Sequence, residues 1–311
     1  MGAVVTRILD TAPAPDSPPL PETTSGRRRR PRRPKFEFNG WALLLVPLLV
    51  FLAVVFVIPL ILMFSKSFTD PTIGLGNYRA IWENPLYLKV LGNTFLVAGA
   101  TTVVTVLLAF PYAYLMTLAT PFWRTIMLVA VLVPFWTSLL VRSFALVLVL
   151  RDTGALNIGL ESIGLIDEPL PLLRHLWGVL FGMVQITLPF AVLPLYATMR
   201  GIDRRLLLAA ESLGARPSLA FVRVFVPLTL PGLFAGIVLV FIQALGYYIT
   251  PALLGGPQNT MIGELIVQQI STVLRFGFAA ALGVVLLAST LILLGIAGRF
   301  VDMKKYLMGQ S

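Results

Sequence analysis

Long stretches without a single charged residue constrain this chain more than any other feature. A bilayer core of about 30 Å needs roughly 20 apolar residues in helical conformation to cross it. Six regions meet or approach that requirement, and only 12% of the 311 residues are charged. We therefore predict an all-α membrane protein with six transmembrane helices, at residues 41–64, 93–119, 125–141, 176–199, 224–250 and 276–298.

Basic residues are distributed unevenly around the predicted spans. Six spans place both termini on one side, where the tails and the connections after spans two and four hold 17 Lys and Arg residues, against 7 on the other side. Connections rich in Lys and Arg stay in the cytoplasm, so the N- and C-termini are expected to be cytoplasmic. This topology explains the net charge of +10 without a nucleic-acid partner. A nucleic-acid-binding protein would instead carry basic residues among exposed aromatics on a folded surface.

The N-terminal segment is of a different kind. Residues 1–35 contain seven prolines and a basic run, RRRRPRRPK at Arg27–Lys35. Such a composition does not bury enough apolar surface to order a chain, so residues 1–38 are expected to be a disordered basic tail. The run is interpreted as a cytoplasmic topology signal, and contact with anionic lipid headgroups is compatible with that role. Residues 39–305 form the predicted six-helix domain, and residues 306–311 a short C-terminal tail.

Several kinds of chemistry are missing from the sequence. There is no cysteine, and His175, at the edge of the fourth span, is the only histidine, so no conventional metal site is expected. Neither a G-x-x-x-x-G-K-[ST] phosphate loop nor a G-x-S-x-G elbow occurs. The chain is therefore not expected to be an enzyme or to bind ATP. The lack of acids within the spans also disfavours a proton-driven carrier.

A short helix is predicted in the connection between spans four and five, residues 200–223. Asp203 can cap its N-terminus, and Gly214 can adopt the left-handed conformation that ends a helix. Leu206 and Leu213 share one apolar face at helical spacing. A helix of about ten residues is not stable alone, so a partner must hold it. That partner is either the membrane surface, on which it would lie as an amphipathic helix, or a cytoplasmic protein.

The segment LLLAAESLGA, followed by VRVFVPLTLPGL, resembles the EAA signature of permease subunits of binding-protein-dependent ABC importers. Ala209, Ala210 and Gly214 fall in register with that signature. Leu208 stands in place of its leading Glu, and Glu211 offers a nearby carboxylate as a partial substitute. The resemblance implies that this is a coupling helix, which docks into a groove of an ATP-hydrolysing subunit through Leu208, Ala209, Ala210, Glu211 and Gly214.

Two further segments resemble the spermidine/putrescine-type permeases of this family. They are VPFWTSLLVRSFALVLVLRDTGALN, residues 133–157, and ALGYYITPALLGGPQNTMIGELI, residues 244–266. The resemblance extends over about residues 40–305 and implies the type I fold of ABC importer permeases, in a bacterial inner membrane. It also implies the partners: a second homologous permease subunit, two cytoplasmic ATPase subunits that bind ATP and Mg²⁺, and an extracytoplasmic solute-binding protein. This chain itself is expected to carry no cofactor.

The resemblance makes a polyamine such as spermidine or putrescine the expected solute. Related permeases move opines, phosphonates or other small solutes, and these stay as alternatives. Tyr247 occupies a position at which polyamine members often carry Asp, so one acidic group for a dication is missing. Two rival classes are a secondary carrier or channel that works without an ATPase, and a membrane scaffold without transport.

Candidate solute contacts fall in two places. PFWTS, residues 134–138, breaks the third span with a proline and supplies aromatic and hydroxyl groups. Two tyrosines end the fifth span, and an acid follows near the outer mouth, where a cationic solute would gain cation–π and carboxylate contacts. Each also has a structural interpretation, as packing, aromatic belt or solvated charge. The candidates are Phe135, Trp136, Thr137, Ser138, Tyr247, Tyr248 and Glu264.

Overall fold

A computed structural model describes residues 40–307, and within that range the regular structure is helical, with no strand. The predicted basic tail, residues 1–38, lies outside the described residues, as do residues 308–311. In chain order the helices are α1 (Gly40–Thr69), α2 (Gly76–Glu83), α3 (Pro85–Leu118), α4 (Pro121–Trp136), α5 (Leu139–Leu150), α6 (Ala155–Ser162), α7 (Leu176–Arg200), α8 (Arg205–Ser212), α9 (Pro217–Ala220), a π-helical segment (Phe221–Phe225), α10 (Val226–Gly246), α11 (Ile249–Leu254), a 3₁₀ turn (Pro257–Asn259), α12 (Ile262–Ser271) and α13 (Phe276–Leu307).

Five helical stretches in the described part of the chain are long and apolar enough to cross a membrane. They lie in α1, α3, α7, the continuous run from α9 through α10, and α13. A sixth crossing arises if Pro121–Trp136 and Leu139–Ser162, which bend by 102° at a short break, form one broken span. The first, fourth and sixth predicted spans begin within one residue of their expected starts, whereas the second already begins at Pro85 and the fifth at Pro217.

The third span differs from its predicted bounds. The break predicted at residues 134–138 is confirmed, because α4 ends at Trp136 and α5 starts at Leu139. The predicted end at residue 141 is wrong, since the helix stops five residues earlier and the chain changes direction. Proline removes a backbone donor and disfavours a helical interior, and Pro134 lies in the last turn of α4, before Thr137 adopts an extended conformation.

The described residues divide into two units, residues 40–54 and residues 55–307, and the packing that follows lies within the second. Its centre is the mutual packing of α3, α7 and α10. Gly232 and Gly236 make a G-x-x-x-G pair on α10, and a Cβ on Gly232 would lie 2.7 Å from the carbonyl oxygen of Pro194 on α7. Small residues permit such close approach in a membrane. The hydroxyls of Thr105 on α3 and Thr187 on α7 share a hydrogen bond of 3.0 Å.

Two buried clusters lie at different ends of this three-helix core. One includes Met116, Met199 and Phe225, where α3 and α7 finish and α10 begins; we call this the α8 end. The other includes Leu150 and Leu254, where α10 finishes and α7 begins; we call this the α11 end. The coupling candidates therefore lie at one end of α10, and the tyrosine pair at the other.

Candidate functional sites at the two ends of the bundle

The N-terminus of α8 is closed by the predicted capping residue. The Oδ1 atom of Asp203 accepts a hydrogen bond of 2.9 Å from the backbone N–H of Arg205. This satisfies one of the donors that a helix leaves free in its first turn. The helix spans eight residues, Arg205–Ser212, slightly fewer than the ten expected.

The C-terminus of α8 ends in a Schellman motif. Gly214 has a φ of 89°, and its N–H donates to the carbonyl oxygen of Glu211 at 2.9 Å. The N–H of Ala215 donates to the carbonyl oxygen of Ala210 at 3.1 Å. These two bonds and the left-handed glycine are the elements of that motif, so the predicted conformation of Gly214 is confirmed.

Most apolar side chains in and next to α8 are exposed. No residue of α8 is buried, and only Leu207 packs against the apolar cluster of the α8 end. Leu206, Leu208 and Leu213 are 48%, 61% and 90% exposed. Of the other coupling candidates, Ala209 and Glu211 are exposed and Ala210 is half-buried. A helix too short to persist alone thus presents three leucines to whatever lies beyond this chain.

Arginines join α8 and α4 to the end of α3. The Arg204 guanidinium, just before α8, donates to the carbonyl oxygen of Thr117 at 2.9 Å. Arg124 on α4 donates through Nε to Met116 at 3.3 Å and through Nη2 to Ala119 at 3.1 Å, both at carbonyl oxygens. The last carbonyls of a helix lack partners within it and carry partial negative charge. The two guanidinium groups supply those partners, and Arg204 thereby fixes α8 to a helix far from it in sequence.

At the break between α4 and α5, Arg142 closes the open end of α4. Its Nη2 donates to the carbonyl oxygens of Pro134 and Thr137, the latter at 2.9 Å, and its Nε donates to Thr137 Oγ1 at 3.2 Å. The sequence did not indicate this role, because Arg142 is one of the seven basic residues assigned there to the outer connections. The one available signal was an arginine within a helical turn of a proline-broken span, where freed carbonyls need donors.

The four candidates around this break have different surroundings. The Phe135 ring packs on Phe190 of α7 with centroids 5.1 Å apart, and the residue is 52% exposed. Trp136 is 79% exposed, and Ser138 is exposed. Thr137 alone joins a polar network, since its hydroxyl donates to the Pro134 carbonyl at 2.9 Å and accepts from Arg142.

The remaining candidates meet at the α11 end. The chain leaves helical conformation at Tyr247, the residue after α10. Gly263, in the first turn of α12, lies so close that a Cβ there would be 3.2 Å from the Cβ of Tyr248. Its neighbour Glu264 is half-buried, and partial burial raises the pKa of the Glu264 carboxyl above its ordinary value. α5, the helix that carries Arg142, packs against α11 at the same end.

The α11 end therefore combines aromatic, carboxylate and guanidinium groups near one point of the bundle. Tyr247 is half-buried against the apolar cluster of this end, whereas Tyr248 is 40% exposed. Three of the predicted candidates, Tyr247, Tyr248 and Glu264, therefore lie at this end, and Arg142, which the sequence did not indicate, lies on the neighbouring α5. Phe135 instead packs on α7.

Comparisons with known proteins find relatives that are all ABC transporter proteins. No family model matches the chain. The spermidine/putrescine transport system permease protein PotB of Haemophilus influenzae is 36% identical over 250 residues, which are 80% of this chain and 86% of the relative. PotB of Escherichia coli K12 is 35% identical over 222 residues, 71% and 80% of the two chains. Among solved structures, a bacterial alginate ABC transporter in complex with its alginate pentasaccharide-bound periplasmic protein has a TM-score of 0.68 at 19% identity, covering 83% of this chain and 92% of that chain.

The structural likeness defines the class: this is the fold of ABC importer permeases. The sequence identities go further, and the chain belongs to the PotB-like, spermidine/putrescine-type family of ABC transporter permeases. It is a multi-pass inner-membrane subunit of an ABC importer, with a role in transport and not in enzymatic catalysis.

Proposed function

We propose that this permease carries a polyamine such as spermidine or putrescine across the inner membrane, driven by ATP hydrolysis in partner subunits. The main support for the solute is that relatives at 35–36% identity over most of the chain are named spermidine/putrescine permeases. The single observation that carries the coupling is the exposed, doubly capped α8, which Arg204 ties to α3.

In this proposal the α8 end faces the cytoplasm, and both termini lie there. The support is the concentration of 17 Lys and Arg residues on that side of the spans, against 7 on the other, as the positive-inside rule requires. Two ATPase subunits bind ATP and Mg²⁺ there, one docked on α8 of this chain and one on the corresponding helix of a second permease subunit. Leu208, Ala209, Ala210, Glu211 and Gly214 supply the docking surface. Leu208 adds an apolar contact in place of a carboxylate.

The proposed mechanism is a rigid lever. ATP-driven closure of the ATPase subunits displaces α8, whose caps keep it helical while it moves. The Arg204–Thr117 hydrogen bond passes that displacement to α3, and the π-helical segment passes it to α10. π-helical turns occur frequently at functional sites. The pathway changes from inward-facing to outward-facing because the ATPase docks on α8 more strongly in one of its states than in the other.

On the opposite side, an extracytoplasmic solute-binding protein delivers the solute to the α11 end. Tyr248 offers an exposed aromatic ring, and Glu264 a partly desolvated carboxylate. A protonated amine gains from both, through cation–π and charge-assisted contacts. Tyr247, Thr137 and Ser138 complete the proposed pathway, with Trp136 at its exposed edge and Phe135 as packing.

A second candidate solute class follows from one observation. Arg142 brings a fixed positive charge to the α11 end, and Tyr247 stands where polyamine members often carry Asp. A cation repels a dication but attracts a carboxylate or phosphonate, so the same machinery importing an anionic small solute is the alternative. A secondary carrier without an ATPase is the least supported class.

Three experiments test the proposal. Purification of the complex in mild detergent should co-elute an ATPase with this chain; its absence would favour a secondary carrier. Deletion of the gene should abolish uptake of radiolabelled spermidine or putrescine, and this chain should restore it. Titration of the cognate solute-binding protein with polyamines, opines and phosphonates then identifies the solute class. Binding only of an anionic solute would overturn the polyamine assignment while leaving the importer intact.

A further inference from the structure

A cavity of about 360 Å³ lies at the α8 end. Its walls come from α3, α4, α7, α8 and the π-helical segment, so it sits where three spans finish or begin. Three arginines line it, and none of the described lining residues is acidic. They come from three separate places in the chain: Arg124 on α4, Arg200 at the end of α7 and Arg204 before α8.

The three guanidinium groups have unused hydrogen-bonding capacity. A guanidinium carries five N–H donors. Arg124 and Arg204 use only some of theirs on the carbonyls of α3, and Arg200 makes no side-chain hydrogen bond within the described residues. Among the described side chains, those of residues 45–296 and 298–299, the only ion pair joins Arg79 and Glu83 on α2. No described carboxylate therefore neutralises the positive charge around this cavity.

A second observation comes from Tyr196, which also lines the cavity. Its hydroxyl is buried and has no hydrogen-bond partner among the described residues. A buried polar atom without a partner is uncommon, because it loses its bonds to water without replacement. Such an atom commonly marks an unseen water or ion. Tyr196 therefore adds a neutral donor beside the three cationic ones.

We propose that this cavity binds a phosphate group, held by Arg200, Arg124 and Arg204 with the Tyr196 hydroxyl. The planar fork of arginine matches the oxygens of phosphate, often through two parallel hydrogen bonds. The cavity lies at the boundary of the apolar spans, where the headgroup of an anionic phospholipid and a soluble phosphate can both reach it. A bound phosphate would bridge α4, α7 and the start of α8, and so stiffen the connection between α8 and the bundle.

The test measures binding directly on the full-length chain, purified in a neutral detergent. One arm adds phosphatidylglycerol to phosphatidylcholine mixed micelles, and the other adds inorganic phosphate, with ionic strength held constant by chloride because surface electrostatics depend on salt. The readout is the thermal unfolding midpoint, whose shift with ligand concentration gives an apparent Kd. An effect of phosphatidylglycerol alone identifies a lipid headgroup, and an effect of phosphate alone identifies a soluble anion. Either result, or both together, supports the site.

Variants decide whether any binding occurs in this cavity. Arg200→Gln removes one charge without touching the bonds to α3, and it should weaken binding about tenfold, as loss of one charge-assisted hydrogen bond implies. Tyr196→Phe should weaken it less. The matched control is Arg216→Gln, an exposed residue of the same connection that does not line the cavity, and it should bind normally. Equal weakening by Arg200→Gln and Arg216→Gln would mean diffuse surface attraction and overturn the site, as would no midpoint shift with either ligand. Binding requires neither the solute nor the ATPase, so its failure leaves the proposed function standing.

Discussion

The guanidinium of Arg204 donates a hydrogen bond of 2.9 Å to the carbonyl oxygen of Thr117, which lies 87 residues earlier in the chain. The bond joins the first residues of the proposed coupling element to the end of α3. Because α3 packs on both α7 and α10, a displacement of α8 reaches all three helices of the core, and not only the two spans that flank it in sequence.

We predict that Arg204→Gln lowers uptake while leaving membrane insertion unchanged. The bond is exposed, so its loss costs about 1 kcal/mol, a change of about fivefold in the equilibrium between two positions of α8. In the purified complex of this variant, ATP hydrolysis should be retained while solute transport is reduced. Arg205→Gln is the matched control, since Arg205 is exposed and its side chain makes no described hydrogen bond. An equal loss in both variants would contradict the lever through α3.

Gly214→Val should release the end of α8 and abolish transport. A Cβ at this position would meet no atom within 4 Å, so the effect comes from the φ of 89° alone. A left-handed conformation costs a non-glycine residue about 1–2 kcal/mol, and asparagine tolerates it better. Gly214→Asn is therefore expected to retain most of the uptake. If valine transported as well as asparagine, the capped geometry would have no part in coupling.

Gly232→Ala should destabilise the packing of α7 on α10. Its Cβ would lie 2.7 Å from the backbone oxygen of Pro194 and 2.4 Å from Thr198 Oγ1, and only the second of these atoms can rotate away. Overpacking of this kind costs about 1–3 kcal/mol. The thermal midpoint in detergent, followed by circular dichroism, should fall. Gly246→Ala serves as the control, because a Cβ there meets nothing within 4 Å; a similar fall in both would argue against the close contact.

The stability contribution of Glu264 should decline as pH rises. Partial burial raises its pKa in the folded chain, so folding favours the protonated form. That contribution is complete below the unfolded pKa of about 4.3 and is lost as the pH rises through the folded value. The glutamine in the Glu264→Gln variant does not ionise. The thermal midpoint of this variant should therefore rise relative to that of the native chain as the pH increases from about 4 to about 7. A constant difference across this range would contradict the assignment.

Uptake of a polyamine should change with pH in the opposite direction, through the same Glu264 carboxyl. If the ionised Glu264 holds the amine, transport falls on acidification, and it does so at a higher pH than an ordinary carboxyl would require. Glu264→Gln should raise the KM about tenfold, through loss of one charged contact, and should remove this pH dependence. Glu161→Gln is the control, as an exposed acid on α6. An unchanged KM for Glu264→Gln would exclude the contact.

Local signals made much of the fold predictable. Uncharged length fixed the five straight spans, and Asp203 and Gly214 act within a few residues of the helix that they cap. Pro134 predicted the break in the third span, but not the position at which the chain resumes. The features that the sequence did not predict depend on contacts between residues distant in sequence, or on the direction in which a side chain faces. Nothing in the neighbourhood of Arg204 points to Thr117, and the repeat of leucines did not reveal that Leu207 faces the bundle while Leu206 and Leu213 are open.

The 102° bend after Trp136 has a consequence for biogenesis. It holds the Arg142 guanidinium against the end of α4, with Trp136, Thr137 and Ser138 uncovered by the rest of the chain. If the proposed second permease subunit covers this break, a newly inserted copy of this chain lies open to quality-control proteases until that subunit binds. Cellular levels of this chain should therefore follow those of the subunit that covers it, so that neither accumulates without the other.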